Sequence, residues 1–366
     1  MQRQRTALGV RTALVFAASL SLQLACAADP PTLRATQQSG APPLKLRVLG
    51  GLANVHQYTR HEKPFWTEVL PARTKGRVTA DIVPFDQAGI RGTETLRLME
   101  AGVLPFGTLL IGIVASTNPE LGAADLAALA PDIGTLRRAA TALRPHIVQS
   151  LRERYGIEVL AIYIYPAQML FCKDRFSGLD DLAGRRIRTS TPSQSDLVDA
   201  LGATPVKTGF AELMPSVKSG NADCAITGSM SGNTIGLHEV TTHIFSMPLA
   251  WGSSVFAASG AAWRALPQDV RALLSAELPR LEADIWAESE RETLEGVTCN
   301  TGGNGCSNGR KGTMVEVKPS ARDIKRLQHL FHSVVLPQWF KRCGDECVSL
   351  WTQTLKPILS PEDKAQ

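Results

Sequence analysis

The chain has 366 residues, of which 44% are hydrophobic, 20% charged and 6% aromatic. A chain of this length folds as about two domains, and its apolar content is enough for a large core, which excludes a wholly disordered protein. The formal net charge is +5, but Arg3, Arg5 and Arg11 lie within the first 27 residues, where no acidic residue occurs. The rest of the chain has 36 basic and 34 acidic residues, a balance that excludes the basic surface of a nucleic-acid-binding protein.

The N-terminus has the organisation of an export signal. The basic residues are followed by an apolar stretch from Ala13 to Leu24 and by the small residues of positions 25–27, as at a signal peptidase site. A lipid-anchored Cys26 is the alternative, but Gln23 stands where an aliphatic residue is expected. We therefore expect a cleaved signal peptide over 1–27, a flexible leader over 28–43 and a periplasmic protein.

The first half of the mature chain alternates predicted strands and helices. In chain order these are a strand Leu44–Leu49, a helix carrying Tyr58, Phe65 and Val69, a strand Val78–Pro84, a helix Thr93–Gly102, a strand Phe106–Val114, a helix with apolar residues from Leu136 to Leu151, and a strand Ile157–Tyr163. Pro145 interrupts the pattern of the longest of these helices.

The second half repeats this alternation. It reads as a strand Arg185–Arg188, a helix capped by the Ser193–Asp196 spacing, a helix Ala211–Gly220, a strand Ala222–Ile226, an apolar segment Ser253–Ala258, a long helix opened by Pro267 and a last helix capped by Ser320 and Asp323. Alternating strands and helices predict an α/β protein with mostly parallel sheets.

Six cysteines remain after the signal, and export places them in an oxidising compartment. Cys299 and Cys306 bracket a glycine-rich loop, and Cys343 and Cys347 flank a Gly-Asp-Glu turn, so two local disulfides are predicted. A metal site is the alternative, but these spacings are not C-x-x-C pairs. Cys172 and Cys224 are isolated in apolar runs, which favours buried free thiols.

Catalytic and metal-binding motifs are scarce. His238 and His243 are five residues apart, not four, so they would not share one helical face as the zinc motif H-E-x-x-H requires. The glycines near Cys306 have neither the preceding strand nor the following helix of a nucleotide-binding loop. We predict no metal, no cofactor and no catalytic residues.

One group of residues has the chemistry of an anion site. A predicted strand ends at Arg188, and the hydroxyl-rich run 189–195 then leads into a helix. The unpaired N–H groups of a helix N-terminus favour an anion, and a guanidinium holds a carboxylate by two parallel hydrogen bonds. The alternative is that Arg185, Arg186 and Arg188 are solvated surface charges.

Ordered sequence blocks around this group resemble the substrate-binding proteins of TRAP transporters. The blocks are Pro84–Gly89, Phe176–Arg188, Leu201–Val206, Phe210–Glu212, Gly220–Asp223 and Trp263–Pro267. The resemblance covers roughly residues 44–340. It implies an α/β, two-lobed periplasmic-binding-protein (Venus-flytrap) fold with crossing strands and a long linking helix. Lobe I would comprise 44–165 and 253–292, and lobe II 166–252 and 293–362.

The resemblance also implies the ligand site. Arg188 matches the arginine that pairs with the ligand carboxylate, Phe210 an aromatic that packs on the ligand, and Thr227 a frequent ligand-contacting Asn. Ser190 belongs to the same anion site, and Gln168 stands where many members carry a second basic residue. From lobe I, the Asn54–His56 loop, Arg91 and the end of the strand Phe106–Leu110 are expected at the cleft.

These features predict a transport receptor, not an enzyme. It would bind a small organic acid by lobe closure and deliver it, as a monomer, to the membrane permease subunits of a TRAP transporter. The loss of a second cation favours a monocarboxylate with a short or partly apolar body over a hydroxylated acid sugar. Two alternatives remain: a receptor that presents its ligand to a membrane sensor, and an exported enzyme using His243 or Cys172 beside Arg188.

Overall fold

The computed structural model describes residues 43–359. The predicted signal peptide and all of the leader except Pro43 lie outside the described residues. None of the helices between 43 and 359 combines the length and apolarity that crossing a bilayer requires.

Two β-sheets organise the described chain, one in each lobe. The strands are β1 (Leu44–Gly50), β2 (Val78–Pro84), β3 (Phe106–Leu110), β4 (Ile157–Ile164), β5 (Gln168–Cys172), β6 (Arg186–Thr189), β7 (Thr204–Lys207), β8 (Cys224–Gly228), β9 (His243–Ala250), β10 (Ser253–Ser259) and β11 (Val315–Val317). The first sheet has the order β2-β1-β3-β10-β4, and the second has the order β11-β9-β5-β8-β6-β7. We call the lobes built on them the first and second lobe.

Both sheets are mixed: of the nine strand pairings within residues 43–359, five are parallel and four antiparallel, so the predicted parallel pairing prevails only narrowly. Strand β1 runs parallel to β2 and β3, and β6 runs parallel to β7 and β8. Strand β10 is antiparallel to β3 and β4, and β5 is antiparallel to β8 and β9. Within residues 43–359 the chain crosses between the sheets three times. The first strand after each of the first two crossings, β5 and then β10, runs against the other strands of its sheet, whereas β11 after the third crossing does not.

Helices cover the sheets. They are α1 (Leu70–Arg73), α2 (Thr95–Glu100), α3 (Ile111–Val114), α4 (Ile133–Tyr155), α5 (Pro192–Ala200), α6 (Leu213–Lys218), α7 (Ser229–Thr234), α8 (Gly260–Ala265), α9 (Gln268–Asn300), α10 (Ala321–Leu330), α11 (Leu336–Cys343), α12 (Asp345–Leu350) and α13 (Lys356–Leu359). Wider helical turns occupy Gln57–Glu62, Phe65–Val69, Phe331–Val335 and Trp351–Leu355.

Helix α9 is the predicted long linking helix. It spans the 33 residues that follow Pro267, or about 50 Å at 1.5 Å per residue. Trp286 Nε1 donates to Ile162 O of β4 in the first lobe, and Asn300 Nδ2 donates to Ser229 O in the second. The helix therefore contacts both lobes. Its buried residues include Leu274, Leu278 and Ile285, which pack into the apolar core.

Two predicted elements differ notably in their boundaries. The strand predicted over Phe106–Val114 ends at Leu110, and the chain turns into α3, so the apolar run holds two buried elements. Helix α5 is capped by Thr191, whose hydroxyl accepts from Gln194 N at 3.2 Å, not by Ser193. Pro192 at the first helical position explains this earlier start. The capping box of Ser320 and Asp323 is confirmed.

The described cysteines form three pairs at disulfide-bonding distance: Cys172–Cys224, Cys299–Cys306 and Cys343–Cys347. The interpretation of Cys172 and Cys224 as free thiols is wrong. They stand directly opposite each other on the antiparallel strands β5 and β8, with their Cα atoms 4.0 Å apart, although 52 residues separate them in sequence.

Candidate functional site

A cavity of about 570 Å³ lies between the lobes. From the first lobe, the end of β3, the start of α3 and the turn at Phe85 and Asp86 line it. From the second, the ends of β6, β7 and β8 line it. Its volume is that of a pocket for a small organic molecule.

Arg188, on β6, is the central charged residue of the second-lobe wall. Only 3% of its surface is exposed. Its Nε and Nη2 donate to Thr208 O at 3.1 and 2.8 Å, and Nη1 donates to Ile226 O at 3.0 Å. These backbone acceptors fix the guanidinium without neutralising it.

The charge of Arg188 has no carboxylate ion-pair partner among residues 43–359. Burial lowers its pKa to about 10, and the charge of Glu212 opposes this only in part. The side chain therefore remains a buried cation at neutral pH. A buried cation without a counter-ion is costly, so a bound anion would stabilise it.

The neighbouring arginine of the same strand shows the contrast. Arg186 lies at the exposed start of β6 and forms a bidentate pair with Asp223, with hydrogen bonds of 3.1 and 2.6 Å. Two residues along the strand, Arg188 is buried in the cavity wall and lacks such a partner. Two arginines of one strand thus have different surroundings. Arg186 is ion-paired at the surface, and Arg188 lies in the cavity wall without a carboxylate partner.

The hydroxyl-rich turn after β6 lies beside Arg188 at the N-terminus of α5. Ser190 lines the cavity, and its N–H and hydroxyl donate to Gln194 Oε1 at 2.9 and 3.2 Å. Gln194 Nε2 in turn donates to Gln168 Oε1. Gln168 also lines the cavity. Two neutral amide side chains therefore occupy the position at which the resemblance implied a second basic residue in many members.

Phe210 and Thr227 complete the second-lobe side. Both line the cavity, Phe210 half-buried and Thr227 with 4% of its surface exposed. Apolar side chains of the first lobe also line it, among them Phe85, Leu110 and Ile113. The cavity therefore joins one buried cation to a partly apolar wall.

Two predicted residues do not line the cavity. Arg91 has 84% of its side chain exposed and lies 3.9 Å from Glu94, because it precedes the turn Gly92–Glu94 and extends into solvent. Asn54 is exposed in the loop after β1, whereas Leu52 of that loop reaches the cavity. Of the first-lobe positions that the sequence resemblance implied, the strand end at Leu110 lines the cavity, whereas Asn54 and Arg91 do not.

Sequence reasoning missed Asp125 and Thr208. Asp125 lines the cavity with 2% of its surface exposed, and its Oδ2 accepts the Ser253 N–H at 2.8 Å. Burial raises its pKa to about 7, and hydrogen bonds from Ser253 oppose part of that shift. A lone aspartate in the apolar run 121–130 was the available signal, because a charge inside such a run is either paired or functional.

The residues considered for catalysis or zinc binding lie elsewhere. His243 starts β9 and contacts Thr242 Oγ1 through Nδ1 at 2.7 Å, and burial lowers its pKa. Cys172 is fully buried at the opposite end of β5 from Gln168 and is paired with Cys224. Neither residue lines the cavity.

One side-chain cluster of the described residues has metal-ligand chemistry. His56, Glu288 and Glu292 bring their ligand atoms within 4.8 Å of one another. These groups already have partners, because Arg60 and Arg291 pair with Glu288, and His56 Nδ1 lies against Glu292 Oε1. The cluster is therefore an ion-pair network that joins α9 to the segment Gln57–Glu62.

Comparison with known proteins agrees with this geometry. The family model of the bacterial extracellular solute-binding proteins, family 7 (DctP), matches residues 53–302. The chain therefore belongs to this family, whose members include the TRAP-type extracytoplasmic solute receptors. No curated protein sequence matches the chain.

Solved structures show the same fold at low sequence identity. A Bordetella pertussis extracytoplasmic solute receptor that binds pyroglutamic acid, DctP7, is 19% identical, with a TM-score of 0.75 over 84% of this chain and 98% of its own. A TRAP periplasmic solute-binding protein from Desulfovibrio salexigens with bound orotic acid is 14% identical, with a TM-score of 0.73 over 86% and 99%. One from Shewanella oneidensis with bound succinate is 18% identical, with a TM-score of 0.70 over 84% and 97%. The two-lobed fold is thus confirmed.

Proposed function

We propose that this protein is the periplasmic receptor of a TRAP-type transporter and binds a small monocarboxylate between its lobes. The observation that carries the proposal is the buried Arg188, held by two backbone carbonyls and without a carboxylate partner in the described chain. Three of its five N–H groups donate to the backbone, so one N–H on each Nη remains for the fork that a carboxylate fits.

The rest of the cavity supports a ligand with one carboxylate and a short, partly apolar body. Gln168 is neutral, and Phe210, Leu110 and Ile113 provide apolar wall. The acids bound by the structural relatives, among them pyroglutamate, orotate and succinate, are all of a size that about 570 Å³ accommodates. Pyroglutamate is the test ligand that best combines one carboxylate with a compact ring.

Binding needs no covalent chemistry. The ligand carboxylate would first meet Arg188 in the second lobe, which we assign to 166–252 and 293–362. Groups of the first lobe, 44–165 and 253–292, would then close over it and shift the population towards the closed form. The closed form would dock as a monomer on the permease subunits in the membrane, after export with removal of residues 1–27.

The test is calorimetric titration of chain 28–366 with pyroglutamate, lactate, succinate and galacturonate. Arg188→Lys keeps the charge but loses the fork, and we expect it to weaken binding of the preferred acid by about 10- to 100-fold. Arg186→Lys is the matched control, since the same change is made on the same strand at an exposed, paired arginine.

Two results would overturn the proposal. One is binding of the acid with equal affinity by the Arg188→Lys variant. The other is a clear preference for galacturonate, which would contradict the short monocarboxylate. Circular dichroism of each variant verifies that the lobes remain folded.

A further inference from the structure

One residue of the cavity wall, Asp125, has a buried polar atom that a ligand carboxylate at Arg188 does not satisfy. Asp125 belongs to the turn Pro119–Asp125, which packs against the N-terminus of α5. Its carboxylate accepts a hydrogen bond at Oδ2 from the backbone of Ser253, the first residue of β10. Its other oxygen, Oδ1, is buried and has no hydrogen-bond partner among residues 43–359.

A buried acceptor without a donor destabilises the folded state, because it has lost its hydrogen bonds to water and forms none within the protein. No cation among residues 43–359 pairs with Asp125 either, since Arg342, which shares a small cavity with it, forms its bidentate pair with Asp196. The unsatisfied oxygen belongs to a residue of the ligand cavity wall. A ligand that brings an N–H or O–H group would satisfy it.

We propose that Asp125 selects the ligand by accepting a hydrogen bond from an N–H or O–H group that the ligand carries in addition to its carboxylate. This inference rests on the proposed function and narrows it. The ligand class becomes monocarboxylates with a donor group, such as lactams and hydroxy acids.

The same residue disfavours dicarboxylates when it is ionised. A second ligand carboxylate at this position would meet the Asp125 carboxylate, and above the Asp125 pKa of about 7 the two like charges repel each other. Arg188 and Asp125 thus have opposite effects on the ligand. Arg188 binds its carboxylate, and the ionised Asp125 disfavours a second carboxylate. Burial, which raises the pKa of Asp125 to about 7, shows how poorly the site stabilises a negative charge there without a donor.

The experiment compares ligands that differ in the donor alone. Pyroglutamate is paired with its lactone isostere, 5-oxotetrahydrofuran-2-carboxylate, in which a ring oxygen replaces the N–H. Lactate is paired with propionate, and succinate is added as the dicarboxylate. For wild-type protein we expect the donor-bearing member of each pair to bind about 10- to 100-fold more tightly, and succinate to bind weakly.

Asp125→Asn supplies the second arm. If the Asn oxygen keeps the Ser253 hydrogen bond, its NH₂ group replaces Oδ1 and presents a donor instead of an acceptor. We expect this variant to reverse the order within the lactam–lactone pair and to bind succinate better than the wild type does. A role for Asp125 in folding alone would lower all affinities together and leave the order unchanged.

The outcomes separate the two proposals. Equal binding of both members of each pair by the wild type, or an unchanged order in Asp125→Asn, overturns the role of Asp125 and leaves Arg188-dependent carboxylate binding intact. Failure of every acid in the panel to bind overturns the proposed monocarboxylate function and this inference with it.

Discussion

The buried residue Glu62 makes the stability of the first lobe depend on pH. It is 1% exposed and accepts hydrogen bonds from the Gly51 N–H, the Thr108 hydroxyl and the Tyr163 hydroxyl. Burial raises its pKa from 4.5 to about 7, although the bonds from Gly51 and Thr108 act in the opposite direction. Through Gly51 it fixes the loop that places Leu52 at the cavity.

The raised pKa of Glu62 predicts that the stability of the folded protein decreases as the pH rises. Between pH 4.5 and about 7 the folded state retains a proton on Glu62 that the unfolded chain has lost, so the free energy of unfolding decreases as pH rises through this window. Glu62→Gln mimics the protonated group and removes that contribution. We expect the melting temperature of this variant to depend less steeply on pH between 4.5 and 7.5.

Asp125 titrates in the same direction, so the slope should become shallower without vanishing. The matched control is Glu290→Gln, which makes the same change at a half-exposed glutamate on α9. A Glu62→Gln slope equal to that of the wild type would contradict this assignment.

Residues of the site differ in how far the sequence revealed them. Arg188 was singled out because a strand, a hydroxyl-rich turn and a helix start follow one another locally, and the family resemblance then favoured a carboxylate site over a solvated surface charge. Asp125 was missed because its partner Ser253 is 128 positions away, and no local pattern encodes that contact. Arg91, which was expected at the cleft, precedes the turn Gly92–Glu94 and extends into solvent away from the cavity.

At the scale of elements, the pairing of β5 with β8 sets the register of the second-lobe wall. Gln168 stands opposite Gly228 at the cavity end, and Cys172 stands opposite Cys224 at the other end. The cysteine pair closes a loop of 52 positions, against 7 for Cys299–Cys306. In the chain-entropy description, constraining the unfolded state contributes about 4 kcal/mol for the long loop and about 2 kcal/mol for the short one.

We therefore expect removal of the Cys172–Cys224 bond to destabilise the protein more than removal of the Cys299–Cys306 bond. The variant Cys172→Val/Cys224→Ala nearly keeps the buried volume and loses only the cross-link, and Cys299→Ala/Cys306→Ala is its comparison. Urea unfolding measures both. A larger loss in the second variant would show that native-state packing, and not loop length, governs the contribution.

The long helices could be predicted from the sequence, whereas the short strands at the edges of the second sheet could not. The linking helix was recognisable from Pro267 and a long amphipathic pattern, and Ser320 with Asp323 marked the start of α10. The short strands β7 and β11, of 4 and 3 residues, have no periodicity of their own. They form because a neighbouring strand supplies their hydrogen-bond partners, which a single local sequence does not specify.

At the scale of the whole molecule, the lobes meet where α3 of the first approaches α5 of the second. Ser193 of α5 donates from its hydroxyl to Asp125 O at 3.4 Å and accepts from Ala127 N at 3.2 Å. A Cβ on Gly112 would stand 2.6 Å from Thr191 Cγ2, which is closer than real contacts allow. Gly112 therefore permits this approach because it has no side chain.

A methyl group at this position should hold the lobes apart. We expect Gly112→Ala to weaken ligand binding by about tenfold, although Arg188 is untouched, because part of the differential affinity for the closed form is lost. Small-angle scattering should show that saturating ligand compacts this variant less than the wild type. Thr191→Ser removes Cγ2 but keeps the hydroxyl that caps α5, so the double variant should regain affinity and compaction. If Thr191→Ser fails to rescue Gly112→Ala, the defect lies within α3 itself, and contact between the lobes does not control closure.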